Sequence, residues 1–77
     1  MLGVTMQLFE IWSEGYAVSG AHGTATLFGT QEAETFKEAI ELFFKGRDDR
    51  HYVNSSLTTY WGCELFDNEL YARKTFG

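Results

Sequence analysis

Tyr60-Trp-Gly-Cys-Glu-Leu-Phe-Asp-Asn-Glu-Leu-Tyr-Ala-Arg-Lys-Thr-Phe-Gly77 is the stretch that decides the fold class. Its first part continues an alternation that begins at Leu57. Leu57, Thr59, Trp61, Cys63 and Leu65 fall on one face of an extended segment over 57–65. Asp67 or Asn68 then offers the side-chain acceptor that opens a helix over about Glu69 to Thr75. Ala72 and Phe76 share one side of that helix, so it docks on the body of the protein. A strand that passes through a cap straight into a closing helix belongs to a small domain of mixed type.

Working back from that end, Gln7 to Val18 is rich in β-formers. Phe9 and Ile11 lie to one side, and Leu8, Glu10, Trp12, Glu14 and Tyr16 to the other. Gly15 within this run predicts a bulge or a close backbone approach. Ser19-Gly-Ala-His-Gly23 is turn chemistry, and Thr24 to Thr30, extending towards Glu34, is the returning strand of a hairpin.

Thr35-Phe-Lys-Glu38 is a capping box, with the Thr hydroxyl accepting from the amide three residues on and Glu38 reaching back. Phe36, Ala39, Ile40, Phe43 and Phe44 follow as one apolar helical stripe. Lys45 suits the negative end of the dipole, and Gly46 closes the helix. The polar stretch from Arg47 to Ser56 is expected to be the longest loop. The prediction is a single α+β domain over 1–77, its first six residues disordered. It has the order β-β-α-β-α, with three antiparallel strands in one sheet, the main helix across one face and a short C-terminal helix.

A chain of 77 residues hides only about 60% of the surface it exposes unfolded. Such a core supplies about 3–5 kcal/mol of net stability unless something else helps. Cys63 is the single cysteine, which rules out an internal disulfide. His22 and His51 with Cys63 make no metal-ligand set, so no metal and no cofactor is expected. Heavy aromatic burial and self-association remain as sources of stability, and seven Phe, four Tyr and two Trp favour the first.

The lone thiol, with no basic leader and no long apolar run at the N-terminus, predicts a reducing, cytoplasmic setting and no membrane span. Met6 is a second candidate start, since the recognisable pattern begins just after it.

Net charge is −5, and residues 1–36 carry Glu10, Glu14, Glu32 and Glu34 with no Lys or Arg. An acidic half disfavours direct nucleic-acid binding, which relies on basic side chains that release counterions. It attracts a basic protein surface instead. The bland reading is that the acids keep a small protein soluble.

No constellation makes an enzyme. Asp48 and Asp49 lie between Arg47 and Arg50, as in a solvated loop. Glu64, Asp67 and Glu69 are scattered by strand and cap geometry. Cys63 on the face of Trp61 and Leu65 reads as a buried, inert thiol, not as a nucleophile paired with His51. Ser13, Ser19, Ser55 and Ser56 lack a nucleophile-elbow context. Gly15, Gly20, Gly23 and Gly29 match neither phosphate-binding fingerprint.

The candidate partner-binding surface is the outward stripe of the first strand, where Glu10, Trp12, Glu14 and Tyr16 interleave acids and aromatics. Glu38 and Glu41 on the main helix support it. Tyr and Trp are enriched at interaction hot spots, and such a stripe suits an Arg-rich partner. In the competing arrangement, the C-terminal helix covers Trp12 and Tyr16 and leaves only surface glutamates.

Glu10-Ile-Trp-Ser-Glu-Gly-Tyr16, Phe36-Lys-Glu-Ala39 and the closing Trp-Gly-Cys-x-Leu-Phe-Asp-Asn-Glu-x-x-Ala-Arg-Lys-x-Phe-Gly motif resemble small bacterial proteins of phages, plasmids and other mobile elements. The resemblance covers nearly all of the chain from Gln7, except the loop around 46–57. It brings no catalytic residue with it. It implies a small acidic protein that binds and disables or redirects a host protein.

The leading expectation is therefore a non-enzymatic module that occludes a basic surface on a host protein, such as a CRISPR or other anti-phage defence effector. The alternatives are a sponge or sensor for a small or nucleotide-like ligand, and a structural domain that forms homo-oligomers.

Overall fold

The computed structural model describes residues 5–19 and 23–77. The chain runs β1 (Gln7–Glu14), α1 (Gly15–Ser19), β2 (Ala25–Ala33), α2 (Phe36–Phe44), a 3-10 helix (Asp48–Tyr52), β3 (Val53–Asn54), β4 (Thr59–Tyr60), β5 (Cys63–Glu64) and α3 (Glu69–Phe76). The α+β class holds. The single three-stranded sheet does not: β1 and β2 form one antiparallel pair, and β3, β4 and β5 form a separate small sheet. The expectations for residues 1–4 and for the turn at 20–22 fall outside the described residues.

The expected strand over 57–65 is broken by two chain reversals. Asn54 Oδ1 accepts from the Leu57 amide at 3.1 Å, a side-chain-closed turn that brings the chain round into β4. Trp61 and Gly62, at φ 51° and 81°, then form a two-residue hairpin loop between paired Tyr60 and Cys63. Leu57 and Trp61 are consequently exposed, and Leu65 alone of the predicted stripe is buried. What survives of a third long strand is one bridge, in which Trp12 and Phe66 exchange two N–H···O bonds of 2.8 Å.

β1 is covered on both sides at its midpoint. Its register with β2 slips where Ile11 opposes Gly29 and Trp12 opposes Leu27, so Phe28 stands opposite nothing. Ile11, Trp12 and Ser13 are all buried in succession, which simple alternation forbids. Ser13, the buried polar residue, donates to the Glu64 carbonyl at 3.3 Å. Beyond Glu14 the chain turns helical, so Tyr16 belongs to α1 and not to the strand stripe.

The extra residue serves the main core. Phe28 meets Phe44 edge-on at 5.2 Å and Tyr60 at 5.0 Å, within a cluster that includes Ile11, Ile40 and Leu65. Gly29 is glycine for lack of space: a Cβ there would lie 2.7 Å from the Phe43 ring.

α2 follows its sequence closely. Thr35 caps it by accepting from the Glu38 amide at 3.2 Å, and Gly46 at φ 82° ends it. Glu38 reaches one residue further back than a capping box requires, to the Glu34 amide at 2.9 Å. α3 is capped by Asn68, whose Oδ1 accepts from the Tyr71 amide at 2.9 Å. It lays Ala72 and Phe76 over Trp12, Ala25 and Phe66 to make a second, smaller core. The Gly77 carbonyl accepts from the Ala25 amide at 2.9 Å, which ties the end of α3 to β2.

Candidate functional site: an aromatic recess at a hairpin tip

The proposed stripe on β1 does not exist as a surface. Trp12 is only 8% exposed, because the slip at Phe28 and the bridge to Phe66 turn it under α3. Its indole Nε1 donates to Glu10 Oε1 at 2.9 Å, and the Arg73 guanidinium lies 5.6 Å over its ring. Glu10 therefore satisfies a core indole, at the rim of the second core.

Glu38 and Glu41 are likewise occupied: Glu38 in the α2 cap, and Glu41 as the acceptor of a 3.0 Å bond from Ser55 Oγ. Of the six predicted residues, Tyr16 alone lines a place where other exposed aromatics gather, and Glu14 lies next to it. Both flank Gly23, where an added Cβ would lie 3.4 Å from Glu14 Oε1 and 3.4 Å from the Tyr16 ring.

That place is a recess of about 200 Å³ lined by Tyr16, Tyr52, Tyr60 and Trp61. Four separate elements build it. Tyr16 comes from α1, Tyr52 from the end of the 3-10 helix, Tyr60 from β4 and Trp61 from the hairpin loop. Tyr60 forms the buried floor, while Tyr16 (56% exposed), Tyr52 (45%) and Trp61 (70%) stand around it. Tyr52 is 5.9 Å from Tyr60 and 6.3 Å from Trp61, with planes tilted by 52° and 56°. His51 packs on Tyr52 at 4.1 Å.

The backbone holds this arrangement open. The Trp61 amide donates to the Tyr52 carbonyl at 2.8 Å, locking the loop to the 3-10 helix. Trp61 is held at φ 51°, where an aromatic side chain is an outlier that only a well-determined turn sustains. The floor is pinned as well: the Tyr60 hydroxyl donates to Asp49 Oδ2 at 3.1 Å, and Arg47 grips the same carboxylate through 3.0 and 3.1 Å bonds. Hydrogen bonding from Arg47 holds the Asp49 carboxyl below the ordinary carboxylate range, and burial with the Asp49 contact pushes the Tyr60 phenol up.

Cys63, opposite Tyr60, donates from Sγ to Glu14 Oε2 at 3.5 Å. Burial, then the hydrogen bond to Glu14 and its charge, push the Cys63 thiol up, which favours the protonated form over a nucleophilic thiolate. Cys63 is only half-buried, and its neighbour Trp61 faces solvent, so the shared apolar face expected from alternation is replaced by this polar contact.

A wider groove of about 420 Å³ passes Glu41, Lys45 and Arg50 between α2 and β3, and its mixed charges single out no ligand class. Among the described residues, no group of three or more His, Cys, Asp or Glu side chains is placed to hold a metal ion, and no helix is long and apolar enough to cross a membrane.

The sequence held one unused signal for the recess. Trp-Gly with glycine second is a hairpin-loop dipeptide, and reading it so would have placed Trp61 at an exposed tip. The approach of Tyr16 and Tyr52 had no local signal, because it depends on how three distant segments pack. No protein-family model, curated protein or solved structure matches the chain.

Proposed function

We propose that this chain is a small, non-catalytic binding protein of a phage or mobile element. In this reading it modulates or inhibits a bacterial host protein by occluding a basic surface, with a CRISPR or other anti-phage defence effector as the favoured target class. The observation that carries the reading is the exposed aromatic group of Tyr16, Tyr52 and Trp61 around Tyr60. Large rings held in place by the fold contribute contact area with little entropy left to lose, which is why Tyr and Trp dominate binding hot spots. The net charge of −5 favours a basic partner by steering the encounter.

The test compares wild-type protein, Trp61→Ala and Tyr52→Ala as baits in a bacterial lysate, with far-UV circular dichroism confirming the fold of each. A host protein retained by the wild type and lost by both variants is expected. Identical captures by all three would overturn the reading.

A second reading, self-association, is favoured by one feature of the hairpin. Among the described residues β2 pairs with β1 along one edge only, and Leu8 on the same hairpin is exposed. Sedimentation at two protein concentrations tests it, with a concentration-independent monomer as the refuting result.

A further inference from the structure

We propose that the recess between Tyr16, Tyr52, Tyr60 and Trp61 receives one arginine side chain of the protein partner. This deepens the binding role proposed above and rests on it.

The lining is the first argument. Four rings converge on the recess, and among the described residues its wall holds no Lys, no Arg and no aliphatic side chain. Tyr52 tilts against Tyr60 and Trp61 instead of stacking flat on them, and Tyr16, Tyr52 and Trp61 are exposed to solvent. An aromatic face carries partial negative charge and attracts a cation placed over it.

The second argument is that the protein already uses this pairing, with two of its three arginines and with Lys74, which lies 5.7 Å over Tyr71. Arg47 sits 5.1 Å over Phe43 and 5.4 Å over Phe44, and Arg73 sits 5.6 Å over Trp12. Among the described residues, no cation lies over any of the four rings of the recess.

Charge beside Tyr16 is the third. Glu14 stands beside Tyr16 against Gly23, and among the described residues its carboxylate joins no ion pair. It accepts a hydrogen bond from the neutral Cys63 thiol. At the floor, the Tyr60 hydroxyl donates to Asp49, which moves electron density into the phenol and makes its face a better cation acceptor. A cation bound on the rings therefore has a carboxylate beside Tyr16, one that joins no ion pair among the described residues.

Arginine fits better than the competing occupants. Its guanidinium is flat, permanently charged and weakly hydrated, so it stacks on rings and can offer N–H groups to Glu14 at the same time. A lysine ammonium is a strongly hydrated point charge and gives up more solvation to enter. A stacked nucleobase needs a basic groove for its phosphates, and residues 1–36, which bring Glu14 and Tyr16 to the site, have no Lys or Arg.

The experiment titrates the full chain with capped pentapeptides Gly-Gly-X-Gly-Gly, followed by NMR at the Trp61 indole N–H and the Tyr52 ring. X is arginine, its neutral isostere citrulline, lysine or trimethyl-lysine. The arginine peptide is expected to shift both probes and to bind roughly tenfold more tightly than the citrulline peptide. Trp61→Ala should lose roughly that factor, and Glu14→Gln should lose a smaller one while the Trp12 signal stays native.

Equal binding of arginine and citrulline, or undiminished binding by Trp61→Ala, would overturn the proposal. Tighter binding of either lysine form, or of a single-stranded oligonucleotide, would overturn the arginine assignment. A host protein captured through Trp61 without any response to the arginine peptide overturns this inference alone. Identical captures by the wild type, Trp61→Ala and Tyr52→Ala overturn the binding role itself.

Discussion

The Tyr60 hydroxyl and the Asp49 carboxylate, 3.1 Å apart, join the β4 strand to the 3-10 helix, and Arg47 closes the group from the other side of Asp49. The floor of the aromatic recess therefore rests on groups that titrate at opposite ends of the pH scale. Asp49 is lowered from an ordinary value of 3.8, chiefly by the hydrogen bond from Arg47. Its contribution is present above that value and is lost as pH falls through the lower folded value.

Tyr60 is raised from 10.0, chiefly by burial. Its contribution is present below 10.0 and is lost as pH rises through the higher folded value. Urea midpoints measured across pH should fall at both extremes. Tyr60→Phe should flatten the alkaline fall and cost about 1 kcal/mol at neutral pH.

The two tryptophans should be separable by quenching. Trp12 is shielded beneath α3, and Trp61 stands in solvent. Acrylamide should quench wild-type emission in two components, and Trp61→Phe should leave the protected one. Trp12→Ala removes a core indole and should cost about 3–5 kcal/mol, a loss as large as the whole net stability of so small a domain. Trp61→Ala should change stability by no more than about 0.5 kcal/mol.

Thr35→Ala deletes the acceptor for the Glu38 amide at the start of α2. The expected cost is about 1 kcal/mol, or roughly 4–8 °C in melting temperature for a domain of this length. Thr35→Ser keeps a hydroxyl acceptor and should retain most of the stability. An unchanged melt for the alanine variant would show that Glu38 and Glu34 hold this end without the cap.

Cys63 should alkylate slowly. Its thiol is pushed up by burial and by Glu14, so less of it is thiolate at mildly alkaline pH than of an unhindered cysteine. Iodoacetamide should modify the native chain more slowly than the same chain in denaturant. Glu14→Gln should speed the native reaction by removing a negative neighbour.

What was legible in the residues was mostly local. The Thr35 cap, the Phe36–Phe44 stripe, the stop at Gly46 and the Asn68 cap are short-range chemistry, and each forms as its residues dictate. The hairpin of β1 and β2 was legible from β-formers on either side of a turn. Period-two alternation misled at 57–65, because Asn54 and the Trp61-Gly62 dipeptide impose reversals that outweigh the pattern.

It misled again at Trp12, where an unopposed Phe28 in the partner strand changes which residues face inward. Nothing in β1 alone encodes that slip. Of the recess, Tyr16 alone was among the expected site residues, and it reaches the recess from α1 and not from a strand stripe. Tyr52, Tyr60 and Trp61 were missed because their meeting is a product of tertiary packing.

The slip at Phe28 also bears on how the molecule comes apart. By turning Ile11 towards α2 and its neighbour Trp12 towards α3, it makes β1 a party wall shared by two rooms. Neither room can empty while the other stays furnished, since each loses its wall when β1 goes. A chain that could have melted in two halves is thereby bound to a single cooperative event, and damage near its closing helix is felt as far away as the tyrosine floor of the recess.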